Sequence, residues 1–183
     1  MCRSESPGAL MASPSPDGVV IRPATRADLP DILAIYNDAV LHTTATYDYE
    51  PRTLEQREAW FADHQKDDYA VFVAADAEGR IVGWSSLNPY HSRPGYRFTA
   101  DNSIYVAADQ RGRGLGRRLL APLIDAARAR GLHAIIAVID AENQTSIRLH
   151  AAFGFEPVGR FKEVGFKFGR WLDVLYMERL IQL

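Results

Sequence analysis

The most informative stretch of this chain is residues 104–116, Ile-Tyr-Val-Ala-Ala-Asp-Gln-Arg-Gly-Arg-Gly-Leu-Gly, which joins a β-rich segment to an amphipathic run. Glycines in such a turn adopt positive φ angles and let a ligand approach the backbone closely. The N-terminal end of the helix that follows favours an anion through its free N–H groups and its dipole. The stretch therefore predicts a phosphate-binding turn, with added positive charge from Arg111, Arg113, Arg117 and Arg118.

The glycine spacing excludes two common phosphate-binding motifs. Gly112, Gly114 and Gly116 form G-x-G-x-G, which is not the dinucleotide-binding fingerprint, and no Gly-Lys-Ser/Thr follows as in a P-loop. The turn instead matches the pattern R/Q-x-x-G-x-G/A through Arg111, Gly114 and Gly116.

Length and composition indicate one globular domain. The chain has 183 residues, of which 47% are hydrophobic and 24% charged, with a net charge of −2 that gives no reason to expect a nucleic-acid partner. No apolar run approaches the roughly 20 residues that span a bilayer, and no metal-binding motif is present. Residues 1–17, which contain Cys2, are expected to be a disordered tail before a domain at 18–183, and Met11 is an alternative start. We expect a cytoplasmic protein.

The pattern along the chain predicts the element order β-α-α-β-β-β-α-β-α-β-β. The apolar run 133–140 is expected to be a strand buried on both faces, and Pro122 is expected inside the third helix. The final two strands are placed at 155–161 and 171–180, with residues 162–170 as the connection between them. These elements predict an α/β domain built on a mixed, strongly twisted sheet.

The glycine turn and its flanking segments resemble the GCN5-related N-acetyltransferase (GNAT) superfamily. Within it, residues 20–180 resemble the phosphinothricin and methionine sulfone/sulfoximine N-acetyltransferases, notably in the Gly-Phe-Lys-x-Gly-x-Trp-x-Asp-Val run at 165–174. The resemblance implies one domain with a twisted sheet of about seven strands, a splayed central pair of strands and about four helices. The other parts that carry it are residues 21–25, 28–30, 35–37, 99–106, 137–139, 148–150 and 154–155, together with Asn143 and Ser146.

The resemblance also implies acetyl-CoA as co-substrate, without a metal. Its pantetheine arm would pair with the main chain of Ile104, Tyr105 and Val106, although Tyr105 could equally be an ordinary strand aromatic. Asn143 would contact the pantetheine through its side chain, or it would only cap a helix. The predicted cofactor-binding residues are Ile104, Tyr105, Val106, Arg111, Gly112, Arg113, Gly114, Leu115, Gly116, Arg117, Asn143 and Ser146.

Asp101 and His150 are the predicted catalytic residues. Asp101 stands where related acetyltransferases have a glutamate as the proposed base, and its side chain is shorter by one C–C bond, roughly 1.5 Å. It would take the proton of the attacking amine directly or through water, whereas the alternative is a solvated carboxylate at a strand edge. His150 stands near the place of a tyrosine that protonates the leaving thiolate, and the alternative is a partly buried histidine packed on Phe153.

The resemblance also implies the substrate-binding residues His91, Ser92, Arg93, Asp101, Asn102 and Ser103. Arg93 would hold an α-carboxylate, or it would be a solvated loop charge. The expected acceptor is the amine of a small amino-acid-like compound such as phosphinothricin, methionine sulfone or methionine sulfoximine. Two alternatives stay open at this point: another amine acceptor (a protein N-terminus or a polyamine), and a non-catalytic acyl-CoA-binding module. The resemblance further implies a homodimer.

Overall fold

The chain folds around one seven-stranded sheet, here seen in a computed structural model that describes residues 18–181. Within these residues four α-helices cover the sheet, and the element order is the one that the sequence predicts. The predicted tail at residues 1–17 lies outside the described residues. The strands are β1 (Val20–Pro23), β2 (Val71–Ala75), β3 (Ile81–Pro89), β4 (Thr99–Val106), β5 (Ala134–Asp140), β6 (Glu156–Lys167) and β7 (Arg170–Leu180), and the helices are α1 (Leu29–His42), α2 (Leu54–Lys66), α3 (Leu115–Ala129) and α4 (Gln144–Ala151).

The strand order is β1-β2-β3-β4-β5-β7-β6, and the central pair β4–β5 is parallel whereas the other pairs are antiparallel. β4 pairs with β5 only over Thr99–Asp101, opposite Ala134–Ile136. Beyond this point β4 continues to pair with β3 as far as Val106, while β5 continues to pair with β7 as far as Asp140. The two central strands therefore separate, which confirms the predicted splayed pair.

The helices form where local sequence favours them. Thr53 caps α2, because its hydroxyl accepts from the Gln56 N–H while the Gln56 side chain accepts from the Thr53 N–H. α3 carries the predicted apolar stripe, with Leu119, Leu120 and Leu123 fully buried against the sheet, and Pro122 lies inside it as predicted.

The side chains of β4 alternate between two cores. Ile104 packs into the core under α3 with Leu120 and Leu119, whereas Tyr105 packs into the core under α1 and α2, where its ring stacks 4.8 Å from Trp84. This alternation follows from the two-residue repeat of a strand. One strand thereby presents alternate side chains to two faces of the sheet.

Two expectations about strands prove wrong. Residues 162–170 are not a connection, because β6 and β7 form one long hairpin that turns at Phe168 and Gly169, both with positive φ. The strand pattern was hidden because β6 is exposed on most of its length and its register shifts between Phe161 and Gly165. β5 is also not buried throughout, since Val138 is half exposed where it faces the gap between the splayed strands.

Candidate active site

A large cleft of about 1070 Å³ occupies the gap between β4 and β5. On the β5 side, the backbone groups of β4 beyond Asp101 have no strand partner among the described residues. Unpaired strand groups at such an edge bind an extended ligand as an added strand would. The predicted cofactor-binding residues line this cleft, except Arg113: Ile104, Tyr105, Val106, Arg111, Gly112, Gly114, Leu115, Gly116, Arg117, Asn143 and Ser146.

The glycine turn forms one end of this cleft. Gly112 and Gly114 have φ angles of +78° and +76°, and Gly114 is the N-cap of α3. The first-turn N–H groups of a helix have no partner within it, so this end of α3 offers donors to an anion. At Gly116, an added Cβ would stand 3.0 Å from the Leu149 side chain, so a glycine at this position allows α3 to pack close to α4. This geometry fits a diphosphate.

The arginines near the turn differ in their environment. Arg111 donates to the Val106 carbonyl at 3.3 Å and lies 3.8 Å from the Asp38 carboxylate, so part of its charge is already balanced. Arg113 donates to the Gln110 side chain and does not line the cleft. Arg117 does line it, with its guanidinium over the Phe153 ring at 5.3 Å.

Asn143 has the capping role that the sequence left as one alternative. Its Oδ1 accepts from the Ser146 N–H at 3.0 Å at the start of α4, and both residues line the large cleft. The cap occupies Oδ1 and leaves the side-chain amide N–H₂ as a donor toward the cleft. A contact of Asn143 with the pantetheine therefore stays a prediction that is compatible with the cap.

His150 is buried, only 3% exposed, and packs edge-to-face on Phe155 rather than on Phe153. Its Nδ1 lies 2.8 Å from the Ser146 carbonyl, which can only accept, so Nδ1 carries the proton. In the neutral ring Nε2 then accepts from the Asn102 side-chain amide at 3.0 Å. Burial lowers the pKa of His150, and its hydrogen bond to Ser146 opposes this. The acid role of His150 stays a prediction, and this geometry favours a positioning role towards Asn102.

Asp101 lies at the junction between the large cleft and a second cleft of about 590 Å³ on the α1–α2 side of the sheet. Its Oδ1 accepts from the Asn88 side-chain amide at 2.6 Å, and the same amide reaches the Ser103 hydroxyl at 3.2 Å. The Asn88 side chain on the neighbouring strand thus holds one carboxylate oxygen of Asp101. It is not the freely solvated carboxylate that the sequence left as an alternative.

Asn88 connects Asp101 to His64. Oδ1 of Asn88 accepts from the Ser86 hydroxyl at 2.9 Å and faces Nε2 of His64 at 3.0 Å. Nδ1 of His64 faces the Trp60 carbonyl at 2.8 Å. Burial raises the pKa of Asp101 above its usual range, while the Asn88 hydrogen bond and the charge of His64 oppose this. A carboxylate with a raised pKa is a stronger base once it is ionised.

Contacts with β5 and β6 hold the segment 43–50 at the entrance of the large cleft. Thr44 donates to the Asp140 carboxylate, and the buried Lys167 ammonium donates to the Thr46 carbonyl at 2.6 Å. The Tyr47 ring lies where a side chain at position 165 would stand, since a Cβ on Gly165 would come within 2.5 Å of it. Burial lowers the pKa of Lys167, and the charge of Asp48 opposes this.

The predicted substrate-binding residues divide into two groups. Asp101 and Ser103 line both clefts, and Asn102 lines the large one. His91, Ser92 and Arg93 are exposed on the turn after β3 and line neither cleft. Arg93 as the ligand of an acceptor carboxylate is therefore not supported within one chain and stays a prediction.

The sequence analysis missed three residues that line the second cleft: Arg57, His64 and Asn88. Arg57 and His64 are buried on α2 at positions that share its inward face with Phe61. The signal was a charged or polar residue at a core position of an amphipathic helix, which usually marks a special role. Asn88 gave no comparable signal, because only the fold brings it opposite Asp101 on the neighbouring strand.

The fold and the site identify the class of protein. The family model of the acetyltransferase (GNAT) domain matches residues 21–176, which is most of the chain. The chain belongs to the GNAT acetyltransferase family and is an N-acetyltransferase.

Among its relatives, the L-methionine sulfoximine/L-methionine sulfone acetyltransferase of Pseudomonas aeruginosa is 49% identical over 86% of this chain and 92% of that protein. A GNAT superfamily phosphinothricin acetyltransferase from Sinorhizobium meliloti, solved in complex with acetyl-CoA, superposes with a TM-score of 0.87 at 37% identity, covering 90% of this chain and 89% of that one. A ribosomal-protein-alanine N-acetyltransferase from Brucella melitensis gives 0.85 at 48% identity, covering 88% and 99%.

Residues 18–181 contain no group of three or more His, Cys, Asp or Glu side chains that could hold a metal ion. No helix in this part of the chain has the length and hydrophobicity needed to cross a membrane.

Proposed function

We propose that this protein transfers the acetyl group of acetyl-CoA to the amine of a small amino-acid-like acceptor, such as methionine sulfone, methionine sulfoximine or phosphinothricin. The observation that carries the proposal is the meeting of two clefts at Asp101, Ser103 and Tyr105. The large cleft suits a long coenzyme, and the small one suits an amino acid. The names of the Pseudomonas and Sinorhizobium proteins support this class of acceptor.

In the large cleft, we assign the diphosphate to the N-terminal end of α3 and the pantetheine to the open edge of β4. The N–H groups of Gly114, Gly116 and neighbouring residues would bind the diphosphate, and Arg117 would add charge. The unpaired groups of Ile104 and Val106 would hydrogen-bond the amides of the arm. Acetyl-CoA supplies the acetyl group as a thioester, and these contacts orient it towards Asp101.

Asp101 is the base of the proposed reaction. An amine attacks only when it is unprotonated, and a carboxylate at the junction of the clefts is placed to accept its proton, directly or through water. Asn88 fixes one carboxylate oxygen at 2.6 Å, which leaves the other oxygen for the acceptor. Transfer is direct, without a covalent enzyme intermediate, and alignment of the two substrates in one site provides much of the rate.

A protein N-terminus is the second candidate acceptor, because the Brucella structure carries the name of a ribosomal-protein-alanine acetyltransferase at 48% identity. Both acceptors present a primary α-amine. They differ in the carboxylate, which is free in an amino acid and part of a peptide bond in a protein.

One experiment tests the proposal. Thiol release from acetyl-CoA is measured with methionine sulfone, phosphinothricin, a peptide that begins with alanine, and a polyamine, and acetyl-CoA binding is measured by calorimetry. We expect binding of acetyl-CoA and the highest kcat/KM with the free amino acids. A preference for the peptide would mean that the acceptor is a protein N-terminus. Binding of acetyl-CoA without thiol release would indicate a non-catalytic acyl-CoA-binding protein.

We also propose a homodimer and a cytoplasmic location. The β6–β7 hairpin supports the dimer, because it exposes aromatic side chains that an isolated chain would leave in water. Trp171 is 62% exposed and Phe168 56% exposed. Light scattering after size exclusion, with Trp171→Glu as the disrupting variant, tests the dimer.

A further inference from the structure

Arg57 is a buried cation in the second cleft. It lies on α2, is only 5% exposed, and its guanidinium carbon stands 4.6 Å from the centre of the Tyr36 ring, 4.7 Å from Trp60 and 5.3 Å from Trp84. Cation–π contacts of this kind stabilise a cation by less than the cost of removing an unpaired charge from water. The rings therefore hold the guanidinium in place without neutralising it.

The described residues around Arg57 provide no hydrogen-bond acceptor for its guanidinium. Arg57 makes no ion pair within residues 18–181, and its Nε is buried without a hydrogen-bond partner there. Within the same range, the indole N–H of Trp84 is also buried without a partner. Burial lowers the pKa of Arg57, but an arginine stays charged in proteins. Two unpaired donors, one of them charged, thus belong to side chains of the same cleft.

The other charged groups of this cleft are arranged differently. Arg52 is paired with Asp48 at 2.7 Å. Asp63 on the last turn of α2 and Asp67 at its C-cap are exposed, so water screens their charge. Asp101 is the carboxylate shared with the large cleft, where the proposed reaction takes place. The cleft therefore presents a base at its inner junction and an unpaired cation among aromatic rings.

We propose that Arg57 binds an oxyanion of the acceptor, either its carboxylate or a side-chain phosphinate, while the acceptor amine reaches Asp101. The inference rests on the proposed function and extends it by naming the residue that selects acidic amino compounds over simple amines. The planar guanidinium suits a carboxylate or phosphinate because it donates several hydrogen bonds in one plane. Trp84 supplies a second donor, and the flanking rings provide an apolar wall for the acceptor's methylene groups.

The test compares Arg57→Gln and Arg57→Lys with the wild type on three acceptors. Phosphinothricin carries a carboxylate and a phosphinate, methionine sulfone carries only the carboxylate, and the α-amide of methionine sulfone carries neither. We expect Arg57→Gln to raise KM for an acid bound by Arg57 by about 10- to 100-fold, as for other charged hydrogen bonds. KM for the α-amide should change less than about threefold, and Arg57→Lys should recover part of the loss because it keeps a charge.

Comparison of the three acceptors shows whether Arg57 binds the carboxylate or the phosphinate. A loss with both acids and none with the α-amide assigns the carboxylate, whereas a loss with phosphinothricin alone assigns the phosphinate. Arg52→Gln is the matched control, since it removes an exposed arginine of the same cleft, and it should leave all three KM values within about threefold. KM for acetyl-CoA should not change in any variant.

Equal losses of Arg57→Gln on all three acceptors, or a lower melting temperature with unchanged KM values, would overturn the proposal and assign Arg57 a packing role. If Arg57→Gln does not fold, Arg57→Lys answers the same question, because weaker binding of the acids with an unchanged α-amide still supports an oxyanion site. Failure of the wild type to acetylate any amino acid would refute the proposed function. Calorimetry with methionine sulfone and phosphinothricin then decides on Arg57 alone: acid binding that Arg57→Gln removes supports it, and no binding by the wild type refutes it.

Discussion

Replacement of Asp101 by asparagine isolates the proposed base. The Asn88 amide donates to Oδ1 of Asp101 at 2.6 Å, and an asparagine at this position keeps an oxygen that accepts the same hydrogen bond. The variant therefore removes the ionisable oxygen with little change in packing. General base catalysis contributes about 10²- to 10⁴-fold, or about 2.7–5.4 kcal/mol of transition-state stabilisation. We expect kcat/KM for methionine sulfone to fall by about 10²-fold or more, measured by thiol release.

The pH dependence gives a second readout of the same substitution. Burial raises the pKa of Asp101, so the wild-type kcat/KM should rise with pH through that raised value, and this limb should be missing in Asp101→Asn. A raised pKa in the folded state contributes stability that is present at low pH and is lost as the pH rises through the folded value. The variant should therefore melt no lower than the wild type at pH 7.

A matched control and a clear contrary result complete this experiment. Asp63→Asn removes an exposed carboxylate that lines the same cleft, and it should leave kcat/KM within about twofold. Asp101→Glu keeps the carboxylate and should retain more activity than Asp101→Asn. A fall of less than threefold in Asp101→Asn, with an unchanged pH profile, would show that another group or the solvent accepts the proton.

Three further predictions concern the glycine turn, the hairpin and the buried histidine. Gly114→Ala should cost about 1–2 kcal/mol of stability and raise KM for acetyl-CoA, because its φ of +76° strains any side chain. Gly79→Ala, at +85° in the turn between β2 and β3 and outside the large cleft, should cost as much stability but leave that KM unchanged. Gly165→Ala forces a Cβ to within 2.5 Å of the Tyr47 ring, so it should destabilise the protein by about 1–3 kcal/mol and lower kcat/KM for the acceptor. Gly159→Ala lies on the same strand with open space around it, and it should have little effect in thermal melts and kinetics. His150→Gln should lower kcat by less than about tenfold without removing a limb of the pH profile, since the ring is neutral with its proton on Nδ1; loss of a limb would establish the acid role. Because burial lowers the pKa of His150, its contribution to stability should be lost as the pH falls below about 6.5, and the melting temperature of His150→Gln should depend less on pH there.

Local sequence was sufficient for the parts of the fold that depend on neighbours along the chain. The glycine turn and the amphipathic helix α3, with Pro122 inside it, appear where the sequence predicts them, since each depends on residues within one or two turns. The splayed strands came from the resemblance rather than from periodicity. The β6–β7 hairpin was missed because a strand exposed on most of its length carries little apolar pattern.

The acceptor side of the site was harder to predict, because it depends on contacts between distant segments. Asn88 meets Asp101 only through the pairing of β3 with β4, and Arg57 reaches the same cleft from α2. The contact between Asn88 and Asp101 has no signature in a single sequence. The core position of Arg57 on α2 marks this residue as unusual but does not indicate which cleft it reaches. The acceptor role of Arg93 was inferred from the resemblance, and the structure places this residue outside both clefts.

The alternation along β4 has a consequence for how such a protein can diversify. Positions 101, 103 and 105 line the second cleft, which is the proposed acceptor site, whereas the side chain at position 104 packs into the core under α3. Point substitutions at the odd positions can therefore change the choice of amine while the backbone groups of β4 that are proposed to bind the coenzyme stay in place. A one-residue insertion or deletion in β4 would move each of these side chains to the opposite face of the sheet. The sequence of this strand should therefore change by substitution and almost never by a change of length.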